Sequence, residues 1–263
     1  MPSPRAIVLV KLSAIGDVIH GIPVAVALRD AFPLARIAWV VEGRAGDLLE
    51  GHRAIDEVIR LPRGWAKRPA TWGGLRRDLR ALGADVAIDM QGLLKSAAAT
   101  FLSGSALRIG HSGADAREGS WLATTHRVAA RAPHVVERNL ALLAPLGIGP
   151  LLPRFDIPSW PTARLTMERF VASLGEGAPP VLLNPGAGWP SKVWAEDRFA
   201  TVARVLAAGH GRRVVVVWGG DAERAAAGRI AAASGAVVAP PTSLQELAEL
   251  CRLAGLFVSS DTG

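Results

Sequence analysis

Short apolar runs rich in β-branched residues alternate with longer mixed stretches along most of this chain. The first run covers residues 6–10, and a loop of small residues, Ser13-Ala14-Ile15-Gly16, follows it. From Asp17 a helical pattern continues to about Ala31, where Phe32-Pro33 ends it. Residues 37–41, 58–61 and 86–89 read as further strands, with a helix from about Arg44 and helical stretches between the others.

The texture changes over residues 146–161. Gly147-Ile148-Gly149-Pro150, then Pro153, Pro158 and Pro161, suit neither helix nor strand and mark a linker. This reading divides the chain into residues 1–150 and 151–263. After a helix at 162–174, strands are predicted at 181–183, 214–218, 237–239 and 256–259, with helices at 195–208, 222–234 and 243–254 between them. The fold class is therefore α/β, with two successive mostly parallel sheets carrying helices on both faces. Ligands of open α/β sheets bind beyond the carboxyl ends of strands, so the loops after Val10, Leu183, Trp218 and Ser259 are where chemistry is expected. The second half offers only about four strands and ends on Asp261-Thr262-Gly263, where a loop should enter a helix. An incomplete second domain is the expectation.

Half of the 263 residues are apolar, enough for a substantial core. No apolar run reaches the length of about 18 residues that a membrane span needs. The N-terminus is short and strand-like, unlike a signal peptide. A single cysteine, Cys251, excludes an internal disulfide framework and fits a reducing cytoplasm. Its apolar helical setting suggests a buried thiol. The net charge of +7 points to an anionic partner, whether nucleic acid, anionic lipid or a phosphorylated substrate. Only Lys11, Lys67, Lys95 and Lys192 are lysines in an arginine-dominated chain, which hints that a compact ammonium is needed at some of them.

Five segments carry candidate chemistry. In Lys11 to His20 there is no dinucleotide fingerprint; Gly16 permits a tight turn, and Asp17 is either a carboxylate capping the helix or a general base. Asp89-Met90-Gln91-Gly92-Leu93-Leu94-Lys95-Ser96 ends a strand and opens a helix, but turn formation alone requires neither Gln91 nor Lys95. The loop from Asn184 to Trp194 contains Gly186, Ala187 and Gly188, small enough to let backbone N–H groups approach phosphate oxygens, with Lys192 as a mobile charge. A plain surface loop explains it equally. Trp218-Gly219-Gly220-Asp221-Ala222-Glu223 repeats the strand, glycine and acid design; Glu223 could hold a ribose hydroxyl or favour a helix start. Asp261-Thr262-Gly263 would form a phosphate or sugar turn. Separately, Arg60, Arg63, Lys67, Arg68, Arg76, Arg77 and Arg80 flank Trp65 and Trp72, a composition suited to an anionic membrane surface or simply to a solvated face. No recognised nucleic-acid motif accompanies the charge, so no nucleic-acid partner is expected. No metal-ligand spacing is present.

Taken together, these residues resemble the lipopolysaccharide heptosyltransferases of glycosyltransferase family 9, nearest to the type I branch. The match rests on Lys11 to His20, Asp89 to Ser96, Ala116-Arg117-Glu118, His134-Val135-Val136-Glu137-Arg138, Lys192-Val193-Trp194, Trp218-Gly219, Ser243-Leu244 and Asp261-Thr262-Gly263, in that order. The type II enzymes are less similar, although Ala187-Gly188 stands where type I members carry hydroxyl residues. The resemblance implies a GT-B fold and inverting, metal-free transfer of L-glycero-D-manno-heptose from ADP-heptose to Kdo of Kdo2-lipid A. It also implies no cofactor beyond the co-substrate ADP-heptose, and a place on the cytoplasmic face of the inner membrane. By carry-over Asp17 is the base and Lys192 neutralises the departing diphosphate. Gly186, Ala187, Gly188, Glu223, Thr242, Asp261, Thr262 and Gly263 join Lys192 in holding the donor. Ser13, Gly16, Arg63, Lys95, Arg117 and Arg138 line the acceptor side. The alternatives are another family member, such as a type II enzyme, and a non-catalytic protein that binds the membrane surface.

Overall fold

The computed structural model describes residues 3–260, and it divides into two compact units, 1–158 and 159–263. The first unit holds a six-stranded, all-parallel sheet in the order β3-β2-β1-β4-β5-β6. Its strands are β1 (Ala6–Val10), β2 (Arg36–Glu42), β3 (Glu57–Leu61), β4 (Val86–Asp89), β5 (Leu107–His111) and β6 (His126–Val128). Four helices accompany it: α1 (Ile15–Ala31), α2 (Pro69–Ala81), α3 (Leu94–Ser103) and α4 (Val135–Ala141).

The unbroken apolar character of β1 has a direct cause. Ile7 and Leu9 enter one core with Val18, Ile22 and Leu28 of α1 and Val136 and Leu140 of α4. Ala6, Val8 and Val10 enter a second core with Leu75 and Leu79 of α2 and Ala99 of α3. A strand covered on both faces by helices needs apolar residues at every position, so the period-2 alternation disappears.

The second unit repeats the plan on a smaller scale. Strands β7 (Val181–Asn184), β8 (Val214–Val216), β9 (Val237–Val238) and β10 (Leu256–Ser259) form a parallel sheet in the order β10-β7-β8-β9. Helices α6 (Glu196–Arg204) and α7 (Asp221–Ser234) cover one face through Phe199, Ala203 and Ile230. Helices α5 (Pro161–Ser173) and α8 (Leu244–Leu253) cover the other through Met167 and Leu250.

Several expectations need correction. The first unit extends past residue 150: Phe155 and Ile157 pack on its core, His52 Nε2 lies 2.9 Å from the Phe155 carbonyl, and Arg154 pairs with Asp30 at 2.8 Å. The helix expected from Arg44 is a 3-10 stretch, Gly43–Leu48, opened by Gly43 at φ +67°. Helix α1 begins at Ile15, so Gly16 lies in its first turn rather than in the loop. Trp65 is fully buried in the core beneath α2, because Gly64 at φ +69° reverses the chain and turns the indole inward. It is not an interfacial side chain. Trp72 rests against it with ring centroids 5.6 Å apart. Cys251 is exposed, since α8 turns Glu249 and Leu250 inward instead. The fully buried Glu249 accepts the Trp160 backbone N–H at 2.9 Å and pairs with Arg252 at 3.0 Å, fastening the start of α5 to α8. Among the described residues, no helix is long and apolar enough to cross a membrane.

Candidate active site

The loop after β1 is held by the loop after β4. Gln91 Oε1 accepts the N–H groups of Leu12 (2.8 Å) and Ser13 (3.3 Å), and its Nε2 donates to the Ser13 carbonyl at 2.6 Å. One carboxamide thus satisfies three backbone groups, a task that needs both a donor and an acceptor and that only an amide side chain performs at this reach. The Gln91 turn is organised in its own right by Asp89. This buried carboxylate accepts the N–H groups of Gln91 (2.9 Å) and Gly92 (3.0 Å) and the Ser96 hydroxyl (3.1 Å). Burial raises the Asp89 pKa above the ordinary value, with these donors opposing the shift.

Gly92 sits at φ +68°, and a Cβ there would run into the carbonyl oxygen of Asp115. Arg117 N–H also donates to the Gly92 carbonyl at 2.9 Å. Gly92→Ala is expected to destabilise the protein by about 2–4 kcal/mol, through left-handed strain plus displaced backbone. A thermal unfolding scan of the variant, compared with an alanine at the open Gly73, checks this.

These loops enclose a polar cavity of about 290 Å³. Asp17 stands on its wall, in the first turn of α1, with Oδ2 accepting the Ala14 N–H at 3.1 Å. Asp17 is thus not the cap residue itself: from the third helical position its Oδ2 accepts the N–H of the cap, Ala14, while the carboxylate faces the cavity. Lys11 is buried beside it and donates to the Met90 carbonyl at 2.7 Å. Burial lowers its pKa, with the charges of Asp17 and Asp89 acting the other way. His111, also lining the cavity, is pushed down by burial. Arg117 and Arg138 complete the wall, Arg138 bridged to Asp115 at 3.2 Å and donating to the Pro133 carbonyl at 2.8 Å.

Beside the same loop, Lys95 Nζ reaches the Ser13 hydroxyl at 3.2 Å and Glu42 at 2.8 Å. Burial would raise the Glu42 pKa, but the hydrogen bonds from Lys95 and the Gly64 N–H outweigh it and hold the carboxyl below its usual range. Arg63, exposed, adds to that effect from alongside Gly43. Ser13, Lys95 and Arg63 are thus neighbours through Glu42, while Asp17, Arg117 and Arg138 share the cavity. Gly16 contributes helix backbone only.

In the second unit, the loop after β7 turns with the Gly186 N–H donating to Asn184 Oδ1 at 3.2 Å. Glu223, in the first turn of α7, accepts the Gly219 N–H at 2.7 Å, and its carboxylate lies where a Cβ on Gly186 would stand. Gly186 and Glu223 are therefore in van der Waals contact, and a side chain at 186 would have to push the Glu223 carboxylate aside. Ala187 and Gly188 follow, and Lys192 ends a short 3-10 turn, Pro190–Lys192, exposed to solvent. Ser260 at the end of β10 accepts the Trp194 N–H at 3.4 Å and donates its own N–H to the Asn184 carbonyl at 3.3 Å, so the two loops are adjacent. Thr242 precedes the Ser243 cap of α8, where Ser243 and Glu246 bond reciprocally at 3.1 and 2.7 Å. The expected turn Asp261-Thr262-Gly263 lies outside the described residues.

The profile of glycosyltransferase family 9 (heptosyltransferase) matches residues 72–263. The chain belongs to this family. Lipopolysaccharide heptosyltransferase 1 of Pseudomonas aeruginosa is 33% identical over 98% of this chain and 73% of its own length. Its namesake in Escherichia coli K12 is 30% identical over 98% and 82%. The solved structure of the E. coli heptosyltransferase WaaC with ADP superposes with a TM-score of 0.80 at 28% identity, covering 98% of this chain and 81% of that one. The chain is thus a GT-B glycosyltransferase of the heptosyltransferase family that acts in lipopolysaccharide core biosynthesis.

For this glycosyltransferase, sequence reasoning had noticed Gln91 and Lys11 without giving them a role, and it passed over Glu42, His111 and Asp115. A signal for Gln91 was present, since it follows a strand-ending acid in a turn that does not need it. Glu42 ends a neighbouring strand at the same edge of the sheet, which topology alone would have flagged.

Proposed function

We propose that this chain transfers L-glycero-D-manno-heptose from ADP-heptose to a Kdo residue of Kdo2-lipid A, with inversion and without a metal, at the cytoplasmic face of the inner membrane. The observation that carries the reading is Asp17: a carboxylate fixed by one oxygen on the wall of a cavity lined by Lys11, Arg117 and Arg138. Such a wall suits an acceptor that brings a carboxylate and a hydroxyl together. Asp17 Oδ1 takes the hydroxyl proton as the acceptor oxygen bonds to the anomeric carbon of the heptose. The bond from that carbon to the β-phosphate oxygen breaks, and ADP departs with its pair of electrons. In the second unit Lys192 and the amides of the Gly186-Ala187-Gly188 loop offset the charge developing on the diphosphate. Glu223, Thr242 and the residues beyond β10 hold the nucleotide and sugar. The donor class is supported by relatives solved with ADP and with ADP-2-deoxy-2-fluoro heptose.

The test is mass spectrometry of Kdo2-lipid A incubated with the purified protein and ADP-heptose. Addition of a single heptose supports the reading. A folded protein that leaves the acceptor mass unchanged overturns it. A narrower expectation concerns Gly186→Ala, whose methyl displaces Glu223. The KM for ADP-heptose should rise on the order of tenfold, as expected when a hydrogen-bonding carboxylate is dislodged, with the KM for the acceptor unchanged.

A further inference from the structure

Helix α3 and the 3-10 segment Ser120–Ala123 pack together and leave an apolar face open to solvent. Leu94 (63% exposed) and Phe101 (62%) stand two turns apart on one side of α3, with Ala98 between them. Trp121 (41%) and Leu122 (73%) project from the adjoining 3-10 segment. On the same side, Trp72 of α2 joins Leu94 and Ala98 around an apolar hollow of about 470 Å³. Soluble monomers leave single large apolar side chains exposed, not several together.

The cations around this face indicate what covers it. The Arg127 guanidinium sits 5.2 Å from the centre of a Trp121 ring, while that of Arg108, 5.9 Å from the Phe101 ring, is held by the Ala123 and Ser105 carbonyls and only props the ring. Helix α2, packed against α3, adds Arg76, Arg77 and Arg80. Aromatic and aliphatic side chains rimmed by arginines match the boundary of an anionic bilayer, where rings settle at headgroup depth and guanidinium groups meet lipid phosphates. A second copy of the same face would bring arginine against arginine, since a two-fold contact pairs a surface with itself. Through Lys95, the helix that carries Leu94 and Phe101 also holds Ser13 of the cavity loop.

We infer that the face formed by Leu94, Phe101, Trp121 and Leu122 docks the protein on an anionic membrane surface. Of the basic stretch read from sequence, Trp72, Arg76, Arg77 and Arg80 remain at this face while the buried Trp65 drops out; the inference rests on the proposed function only in that the acceptor is lipid-linked.

The experiment is co-sedimentation with phosphatidylcholine vesicles, with and without phosphatidylglycerol. The wild-type protein is expected to bind the anionic vesicles. The double variant Phe101→Ser/Leu122→Ser should bind them on the order of tenfold more weakly, and Arg127→Gln should lose part of the difference between the two vesicle types. Turnover of a soluble, deacylated Kdo acceptor should be the same in the double variant and the wild type. That arm separates the two ideas: a wild type inactive on the soluble acceptor indicts the function, whereas vesicle binding bears on the face alone. Wild-type protein that ignores anionic vesicles, or a double variant that binds them equally, overturns the inference. So does a dimer that dissociates on the same substitutions without any vesicle binding, which would give the face to a second copy.

Discussion

Replacing Asp17 with asparagine is expected to lower kcat for heptose transfer by about a thousandfold, the range that a positioned general base supplies. Asparagine keeps the acceptor oxygen that receives the Ala14 N–H, so the start of α1 and the unfolding temperature should be preserved. It cannot take a proton. This substitution separates the two roles that the sequence left open. A carboxylate that merely bonded the Ala14 N–H would be replaced by asparagine with little loss, because the amide oxygen accepts the same hydrogen bond. Asp17→Ala removes both roles and should add a stability loss of about 1 kcal/mol to the catalytic one. Initial rates at saturating ADP-heptose, with circular dichroism as a check on folding, decide the matter. Undiminished turnover in the asparagine variant removes Asp17 from the chemistry.

Lys192→Ala should cost about a hundredfold or more in kcat, the scale seen when a charge-stabilising donor is removed from a developing anion. The side chain is exposed on a short turn, so its truncation should leave thermal stability near that of the wild type. Lys192→Arg should recover only part of the rate, since a planar fork on a shorter stem cannot follow a moving phosphate as a compact ammonium does. ADP affinity by calorimetry provides the second readout and should weaken in the alanine variant. An unchanged kcat in Lys192→Ala refutes the role.

How legible each feature was follows from where its partners lie. Strands β1, β4 and β7 could be read from the chain because burial from both sides writes a continuous apolar run. Strand β5 could not. Its sequence Leu-Arg-Ile-Gly-His contains Arg108, whose guanidinium is consumed by the carbonyls of Ala123 and Ser105, and Gly110, which lies against Thr124. Those compensating groups come from segments that local sequence does not connect. Trp65 misled for the opposite reason: its basic neighbours in sequence are exposed while a single left-handed glycine sends the indole into the core. Asp17 in the first unit and Lys192 in the second stood out as charged residues beside glycine-bearing loops, and the family resemblance gave each its expected role. Gln91 did not reveal its role, because what it binds is main chain, which has no signature in sequence. Lys11 stands out in sequence as one of four lysines, but what it binds, the Met90 carbonyl, is again main chain without a sequence signature.

The carboxamide that clasps the first loop has a consequence for biosynthesis. Gln91 and Leu12 are 79 positions apart. When the ribosome has released only the amino-terminal strand and helix, nothing exists to shape the peptide groups around Ser13. Closing so long a loop costs chain entropy that only the paired strands can offset. The segment bearing the aspartate therefore acquires its working form late, once the fourth strand has joined the first. Until then a nascent chain carries only a half-made pocket, and competence arrives together with the finished sheet.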